Sequence, residues 1–394
     1  MTIKYEKLKR VLFIIAILLA GTSLRMIAAS RGYNLDLQCW MVCADIMKHG
    51  GNVYSEAVRY TTGPIWFHIL HVIEQITKPI FPPIIDAYYF SLSEEMKIFR
   101  YSITIFLTFV DMGLFYIILK MYGLRIASIF FLNPITIILT GYHCQHDNLG
   151  LFVGLASMII FGNKNNGNLN YRNFFGLIML GLSLIIKHIF IIFPFWLAAK
   201  QKGIRRKLVI ILVPFIIFSG AFIPYWEDGK NNIINQIFFY NSWEHAPFWK
   251  LFFPYVLNYL VPAKYLFVFS MLCFGILFRR LNIWDSIIIY TACIVIFSSG
   301  VGNQYYSIIM PFVCINLNWA FILFIINATF HLLTSVDALH FQGLRNISPE
   351  FILQSYNYYY MTLFLVIGFL SYLFNGNLIS KVKMIIKKTK YILM

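Results

Sequence analysis

Long apolar runs, bounded by charged residues, are the feature that most restricts how this chain can fold. The first run, residues 11–29, is long enough to cross a lipid bilayer as a helix. It is too long for a signal-peptide core, lacks a small-residue cleavage site and is followed by further runs, so we expect a retained membrane helix. Arg25 lies near its far end, where we expect the long cationic side chain to reach the membrane interface.

The composition indicates an integral membrane protein. Hydrophobic residues make up 59% of the 394 positions and charged residues only 12%, about half the charged fraction of a soluble chain. The 6 cysteines are scattered, and neither a disulfide framework nor a zinc-binding spacing is present. The sequence therefore predicts an all-α, polytopic membrane protein in which residues 1–394 form a single membrane domain.

The apolar runs predict about twelve transmembrane crossings. They lie approximately at residues 11–29, 98–119, 125–141, 148–162, 174–186, 188–199, 208–224, 263–278, 284–299, 304–316, 319–334 and 357–374. Residues 174–199 and 304–334 are alternatively single longer helices. Splitting each at its polar turn, at Lys187-His188 and between Asn316 and Asn318, places both termini on one side of the membrane.

The distribution of charge gives the orientation. With both termini inside, most of the 32 Lys and Arg residues lie in short inside segments, and most of the 16 acids lie outside. Basic residues near the ends of spans mark the cytoplasmic side, so the expected location is the plasma membrane of a prokaryote or the endoplasmic reticulum membrane. The net charge of +16 is then explained by contact with anionic membrane lipids, and no nucleic-acid partner is needed.

Two long outer segments hold most of the polar residues. Residues 30–97 belong to a predicted catalytic module, 1–224, and residues 225–262 to a second, variable module, 225–394. After Gly63-Pro64, residues 65–76 predict an amphipathic helix lying in the interface plane. A crossing pair with residues 82–92 is the less favoured alternative, because three prolines interrupt the helix there.

Four polar groups on the predicted outer face are candidates for chemistry. The first holds Asp36, Arg59 and Tyr60; the second holds His143, Gln145, His146 and Asp147; the third holds Lys187 and His188; the fourth holds Gln304 and Tyr305. The second group also allows a metal site, but its spacing is not typical of one. We therefore predict no metal and no other cofactor, since a divalent ion is allowed but not indicated.

Two of these residues suggest specific chemistry. A carboxylate at position 36, just outside the membrane, can take a proton from a hydroxyl group while lipid-borne substrates approach laterally. Lys187 interrupts an apolar stretch, which is costly unless the cation reaches water or an anion such as phosphate. The alternatives are an ordinary solvated acid at position 36, and a structural or anchoring role for the other groups. Asp111 lies within a span, where it pairs with a neighbouring helix, tunes packing or relays protons.

Together these features resemble the GT-C glycosyltransferases, and the resemblance covers most of the chain. It rests on the first span, the early Asp36, Asn133-Pro134, the Gln145-His146-Asp147 turn, Lys187 before a short run that ends in proline, and Gln304-Tyr305 followed by Pro311. Three segments, Arg59-Tyr60-Thr61, Gln304-Tyr305 and Phe341-Gln342-Gly343, are similar to the catalytic subunit of glycosylphosphatidylinositol mannosyltransferase I. His143-Cys144-Gln145 is similar to a turn of dolichyl-phosphate-glucose enzymes and bacterial mannosyltransferases. That mannosyltransferase has two acids separated by one residue, and here Asn34 replaces the first.

The resemblance implies an inverting transfer of a hexose, mannose first of all, from a polyprenyl-phosphate carrier to a glycan or glycolipid acceptor on the non-cytoplasmic face. Asp36 would be the general base, and Lys187 would stabilise the leaving phosphate, helped by His188, His146 or Arg59. Tyr60, His143, Gln145, Asp147, Gln304 and Tyr305 would bind donor or acceptor.

Other functions fit the sequence less well. An O-antigen polymerase or ligase would be expected to carry a large, late outer loop with arginines. A lipid-linked-sugar flippase or transporter would place polar groups near the midplane instead of the outer rim. A non-catalytic scaffold would not need Lys187 beside an apolar run.

Overall fold

The structure is a computed structural model that describes residues 2–57, 59–79, 94–162, 169–239, 248–252, 262–335, 339, 341–347 and 357–375. Within these residues it contains helices and no strands, as predicted. The helices are α1 (Thr2–Ser30), α2 (Leu35–Lys48), α3 (Val53–Glu56), α4 (Pro64–Thr77), α5 (Glu94–Tyr122), α6 (Leu124–Phe131), α7 (Pro134–Gly141), α8 (Asp147–Phe161), α9 (Tyr171–Ile186), α10 (Phe193–Ala199), α11 (Ile204–Gly220), α12 (Trp226–Asn232), α13 (Phe248–Phe252), α14 (Ala263–Leu277), α15 (Ile283–Ile296), α16 (Tyr305–Ile315), α17 (Trp319–Thr334), α18 (Gln342–Ile347) and α19 (Asn357–Asn375). A π-helical turn, Ile233–Phe238, follows α12.

Asparagine begins many of these helices. Its side-chain oxygen accepts a backbone N–H hydrogen bond at the start of α2, α3, α7, α9, α15 and α17, from Asn34, Asn52, Asn133, Asn170, Asn282 and Asn318. Such a cap satisfies one of the backbone donors that a helix leaves open at its first turn. The polar turns between apolar runs therefore determine where the helices begin.

Four described helical segments are long and apolar enough to cross a membrane: Tyr5–Ser30, Met96–Tyr122, Ile204–Phe238 and Asn357–Phe374. Five shorter apolar helices and two bent pairs account for the other predicted spans. The number of crossings and the cytoplasmic placement of both termini stay predictions. The predicted break at Lys187 is confirmed as a bend of 117° between α9 and the segment His188–Ala199. The break between α16 and α17, at Asn316–Asn318, is confirmed too.

The span predicted over residues 125–141 differs from the structure. It consists of two helices, α6 and α7, inclined at 47°. Asn133 caps α7, and Pro134 occupies the first helical position. The residue before a proline disfavours helical backbone, and proline itself fits the first turn of a helix, so this dipeptide ends one helix and begins the next.

Helix packing brings the predicted outer groups toward one another. α8 packs along α9, and α9 along α11. α1 packs against α5 and α7, and α2 packs against α4. The helix predicted over residues 65–76 is confirmed as α4, with Pro64 in its first turn; its placement in the membrane interface stays a prediction.

Arg25 does not reach the interface, so that prediction was wrong. Its side chain is 0% exposed, and its Nε donates a 2.9 Å hydrogen bond to Asp111 Oδ2. The side chains of Thr140 and Asn148 donate to Asp111 at 2.7 Å each. We call Arg25, Asp111, Thr140 and Asn148 the core network. The prediction that Asp111 pairs with a neighbouring helix is confirmed. Its carboxylate stabilises the buried Arg25 cation, which therefore does not have to be hydrated.

Several predicted features lie outside the described residues. They are residues 82–92, parts of the outer segment 225–262 and the basic tail beyond residue 375. The division into modules 1–224 and 225–394 stays a prediction.

Candidate active site

Asp36 lies in the first turn of α2, where two amides hold its carboxylate. Asn34 Nδ2 donates to Asp36 Oδ2 at 2.9 Å, and Gln145 Nε2 donates to the same oxygen. Asn34 Oδ1 also accepts from the Leu37 N–H at 3.4 Å, so one side chain caps α2 and orients the carboxylate. No described residue hydrogen-bonds Asp36 Oδ1. That oxygen is left for a ligand.

The charge of Asp36 is tuned by its surroundings. Burial raises its pKa above the ordinary value, while the hydrogen bond from Asn34 and the charges of Arg59 and Lys187 lower the pKa in part. A carboxylate with a raised pKa is a stronger base than a solvated one as long as it is ionised. Asp36, Arg59 and Lys187, from three parts of the sequence, therefore lie close enough to influence one another.

The turn between α7 and α8 brings the second predicted group beside Asp36. His143 Nδ1 lies 2.7 Å from Asn34 Nδ2. Burial lowers the pKa of His143 to about 3, so the ring is neutral near pH 7. Because an amide nitrogen can only donate, Nδ1 accepts and the ring proton is on Nε2. Nε2 is buried and has no hydrogen-bond partner among the described residues, which makes it a donor available to a ligand.

The same turn contains backbone strain. Cys144 has a φ of 50°, a left-handed conformation that is uncommon for residues other than glycine. Trp40 Nε1 donates to the Cys144 carbonyl at 3.3 Å and holds the turn against α2. Strained turns of this kind cluster at functional sites.

Two tryptophans enclose His146. Its ring stacks on Trp66 at a centroid distance of 4.5 Å and an angle of 11°, and meets Trp40 edge-on at 5.2 Å. Burial lowers the pKa of His146 well below its ordinary value, so the ring is neutral. Neither ring nitrogen has a hydrogen-bond partner in the described part of the chain. Neither tryptophan was predicted from the sequence, because a tryptophan on an apolar helix face is usually a core residue.

Lys187 lies at the break between α9 and the 3-10 turn His188–Phe190. Its Nζ is 3.8 Å from Asp147 Oδ1, with side-chain exposures of 17% for Lys187 and 1% for Asp147. Neither Asp147 oxygen has a hydrogen-bond partner among the residues described. We call Asn34, Asp36, Gln145, Asp147 and Lys187 the rim site. Unlike a solvated surface pair, it combines a cation with open acceptor and donor positions.

Close backbone packing fixes the position of Lys187. The Ser183 hydroxyl donates to the Gly150 carbonyl at 2.7 Å. A Cβ added to Gly63 would lie 1.5 Å from the Ile185 carbonyl oxygen, so α4 can approach α9 here only with glycine. Tyr60 is buried, and its hydroxyl donates to the Gly63 carbonyl at 2.8 Å. The structure thus gives Tyr60 a role in holding this turn, and its predicted role in binding stays a prediction.

The remaining predicted residues lie near these elements. His188 follows Lys187, and its Nδ1 is buried with no hydrogen-bond partner among the described residues. Gln304 precedes α16, and Tyr305 is its first residue. Among the described residues, no hydrogen bond joins the Gln304 side chain to the rim site. The described residues also contain no group of three or more His, Cys, Asp or Glu side chains placed to hold a metal ion.

An apolar groove of about 630 Å³ runs between α4 and α5. Ile69, Val72 and Ile76 line one wall, and Ile105 and Phe109 line the other. Several of these side chains are strongly exposed, Ile76 at 76% and Phe109 at 65%. Since Trp66 on α4 stacks on His146, this helix has one side at the turn and another at the groove.

Comparison with protein-family models and with curated proteins gives no match. Among solved structures, the chain is similar to crystal structures of ArnT from Cupriavidus metallidurans. For the apo state the TM-score is 0.47 at 11% sequence identity, with 92% of this chain and 76% of that chain covered. For the state bound to undecaprenyl phosphate the TM-score is 0.46 at 11% identity, with 91% and 76% covered. At this level of similarity, function has to be inferred from this chain's own residues.

Proposed function

We propose that this protein is an inverting glycosyltransferase of the GT-C type. It transfers a hexose, with mannose as the favoured sugar, from a polyprenyl-phosphate carrier to a hydroxyl group of a glycan or glycolipid on the non-cytoplasmic face. The observation that carries this proposal is the carboxylate of Asp36, bonded through Oδ2 and open at Oδ1, beside a lysine at a helix break.

Asp36 serves as the general base. The acceptor hydroxyl gives its proton to Asp36 Oδ1 while its oxygen forms a bond to the anomeric carbon. The bond from that carbon to the phosphate oxygen breaks with its electron pair, and the polyprenyl phosphate leaves as an anion. One displacement inverts the anomeric configuration. Asn34 and Gln145 keep the carboxylate oriented, which places the base before the substrate arrives.

Lys187 stabilises the charge that develops on the leaving phosphate. Its ammonium group is paired at 3.8 Å with Asp147, a distance that leaves room for direct contact with a second anion. Arg59 adds a second positive charge near the site. This charge partly offsets the rise that burial causes in the pKa of Asp36. Fixed cations at the position where charge appears lower the barrier without reorganisation.

The groove between α4 and α5 accommodates the carrier tail. Its walls are branched aliphatic and aromatic side chains, and a polyprenyl chain is an uncharged hydrocarbon that gains by leaving water. His68 lines the groove, with Nε2 2.6 Å from the Tyr225 hydroxyl. With the tail there and the phosphate at Lys187, α4 would separate the apolar part of the donor from its charged part.

The test is transfer by the purified protein in detergent, with synthetic polyprenyl-phosphate mannose as donor and methyl α-D-mannopyranoside as acceptor. We expect consumption of the donor, release of polyprenyl phosphate and a product whose new linkage has the inverted anomeric configuration in an NMR spectrum. Retained configuration would overturn the displacement by Asp36. Failure to consume any polyprenyl-phosphate hexose would overturn the function.

A further inference from the structure

A second polar cluster lies buried between α16, α17 and α19, outside the rim site. It consists of Tyr306, Asn327, His331, Asn357 and Tyr358, which we call the distal cluster. The His331 and Tyr358 rings are 4.9 Å apart, and the Tyr306 and Tyr358 rings are 6.5 Å apart. Asn327 lies one helical turn before His331 on α17, and Asn357 directly precedes Tyr358 at the start of α19. Three helices thus contribute polar side chains to one seam.

Three members of this cluster have unused hydrogen-bonding capacity. The exposures are 6% for Asn327, 0% for Asn357 and 1% for Tyr306. The two amide groups and the Tyr306 hydroxyl have no hydrogen-bond partner among the described residues. A buried polar group without a partner is costly, and native proteins keep few of them. Several in one place indicate a site whose partners come from a ligand.

The helix end that carries part of the distal cluster lies near the rim site. After α17, the Phe341 N–H donates to the Leu333 carbonyl at 2.9 Å, and the Arg31 guanidinium lies 5.9 Å from the Phe341 ring centre. Arg31 directly follows α1 and stands three residues before Asn34. The end of α17 that carries His331 is therefore next to the segment that carries Asp36.

His143 lies near both sites. α17 packs against α7, the helix that leads into His143. Burial is the main cause that lowers the pKa of His143, and the nearby His331 lowers it further. His143 contacts Asn34 through Nδ1 and leaves Nε2 without a described partner. A ligand bonded to His143 Nε2 would be linked to Asp36 by three hydrogen bonds, through His143 and Asn34.

We propose that the distal cluster, with His143, is a binding site for an uncharged sugar ring. The two amides, two phenols and two imidazoles of this site can each donate and accept hydrogen bonds and carry no permanent charge. A phosphate or carboxylate would instead call for a cation, whereas neighbouring hydroxyl groups match this donor and acceptor set. This inference rests on the proposed function for its biological role, and it concerns the sugar of either the acceptor or the donor.

The variants Asn327→Leu, Asn357→Leu and Tyr306→Phe test the site in the full-length protein. Each removes polar atoms that have no described partner while nearly preserving volume. We expect thermal unfolding without ligand at the same or a higher temperature, because an unsatisfied polar group is replaced by an apolar one. A purely structural role predicts the opposite, a lower unfolding temperature. Tyr372→Phe, near the other end of α19, is the control and should leave stability and transfer unchanged.

Ligand measurements identify the sugar. Methyl α-D-mannopyranoside should raise the unfolding temperature of the wild-type protein and raise it less in the three variants. An increase on the order of fivefold in the KM for this acceptor, with a smaller change for polyprenyl-phosphate mannose, assigns the site to the acceptor sugar. The reverse pattern assigns it to the donor sugar. Unchanged glycoside response and unchanged KM values in all three variants would overturn the inference. If the wild-type protein consumes no donor but the variants lose glycoside binding, the proposed function fails and the sugar site stands.

Discussion

The core network and the rim site are both built around an ion pair, and they differ in how completely their polar atoms are used. In the core network, Arg25 and Asp111 are 2.9 Å apart and fully buried, and both Asp111 oxygens accept hydrogen bonds. In the rim site, Lys187 and Asp147 are 3.8 Å apart, and neither Asp147 oxygen has a described hydrogen-bond partner.

This difference distinguishes an ion pair that stabilises the fold from one that can bind a ligand. A buried ion pair offsets the cost of removing its charges from water only when the remaining donors and acceptors are also satisfied. The core network meets that condition at Asp111, whose two oxygens accept hydrogen bonds from Thr140 and Asn148. It therefore joins α1, α5, α7 and α8 through a closed ion pair, and only Asn148 Oδ1 in this network has no described hydrogen-bond partner. The rim site keeps open positions at Asp36 Oδ1, Asp147 and Lys187. Substitutions should therefore affect stability in the core and activity at the rim.

The largest expected effect is on catalysis at the rim. Asp36→Asn keeps the size of the side chain but removes its ability to take a proton. We expect the rate of sugar transfer to fall by about 10²–10⁴-fold, with the protein folded and inserted in the membrane. The assay is transfer from polyprenyl-phosphate mannose in detergent, with thermal unfolding measured in parallel.

Asp45→Asn is the matched control, because Asp45 lies on the same helix and, among the described residues, pairs only with the exposed His49. We expect near-normal transfer from this variant. Near-normal transfer from well-folded Asp36→Asn would remove Asp36 as the base and leave Asp147 as the next candidate.

The next effect is on stability in the core. Asp111→Leu leaves the Arg25 guanidinium buried without its counter-charge, and we expect a loss of about 3–5 kcal/mol in unfolding free energy. The double variant Arg25→Met, Asp111→Leu removes both charges and should recover much of that loss. Unfolding by denaturant in detergent measures both variants. A double variant as unstable as the single one, or one that folds well but transfers no sugar, would break the distinction between core and rim.

A smaller effect is expected for the phosphate contact. Lys187→Gln should raise the KM for the lipid-linked donor by roughly tenfold or more, since a hydrogen bond to a charged group contributes about 1.5–3 kcal/mol. Stability should fall less than in the core, because Lys187 is partly exposed and makes no close hydrogen bond to Asp147, although the buried Asp147 carboxylate loses its cation. Donor titrations of the purified variant measure the KM.

Lys200→Gln is the comparison for that experiment. Lys200 Nζ donates to the carbonyls of Phe278, Arg279 and Leu281 at 3.2, 3.2 and 2.8 Å, so its loss should lower stability and leave the donor KM unchanged. Equal donor affinity in wild type and Lys187→Gln would show that Lys187 does not bind the phosphate.

The helices were largely predictable because local signals define them. Apolar runs gave their positions, and the polar residues at Lys187 and at Asn316–Asn318 gave two of the breaks. The break at Asn133-Pro134 is not part of the predicted span 125–141, although an asparagine cap followed by proline is a signal for the start of a helix. Because residues 125–141 are almost continuously apolar, their composition predicts one span instead of the two short helices α6 and α7.

Contacts between residues far apart in the sequence were harder to predict. Arg25 and Asp111 are 86 positions apart, and a cation near the end of an apolar run gives no sign of a partner in another helix. In the sequence, Asn34 indicates only the replacement of an acid, whereas the structure shows its side chain oriented toward both Asp36 and His143. The topology predicts that the four polar groups share the outer face, because polar turns on one side of a membrane protein share one surface. The individual contacts of Asp36 with Gln145 and of Lys187 with Asp147 come from the structure.

The smallest expected effect concerns the pH dependence of stability and sharpens the rim side of the comparison. Burial raises the pKa of Asp36 in the folded protein, so the folded state holds the Asp36 proton more tightly than the unfolded chain does. The stability that this group contributes is fully present below the unfolded pKa and is lost as pH rises through the folded pKa. Asp36→Asn cannot titrate, and we expect it to be slightly more stable than the wild type at neutral pH, with the difference vanishing in acid. Transfer by the wild-type protein should show the opposite trend and fall in acid, because the base must be ionised. Unfolding temperatures and transfer rates measured across the same pH series would show both trends, and a difference in stability that grows toward acid would contradict the raised pKa.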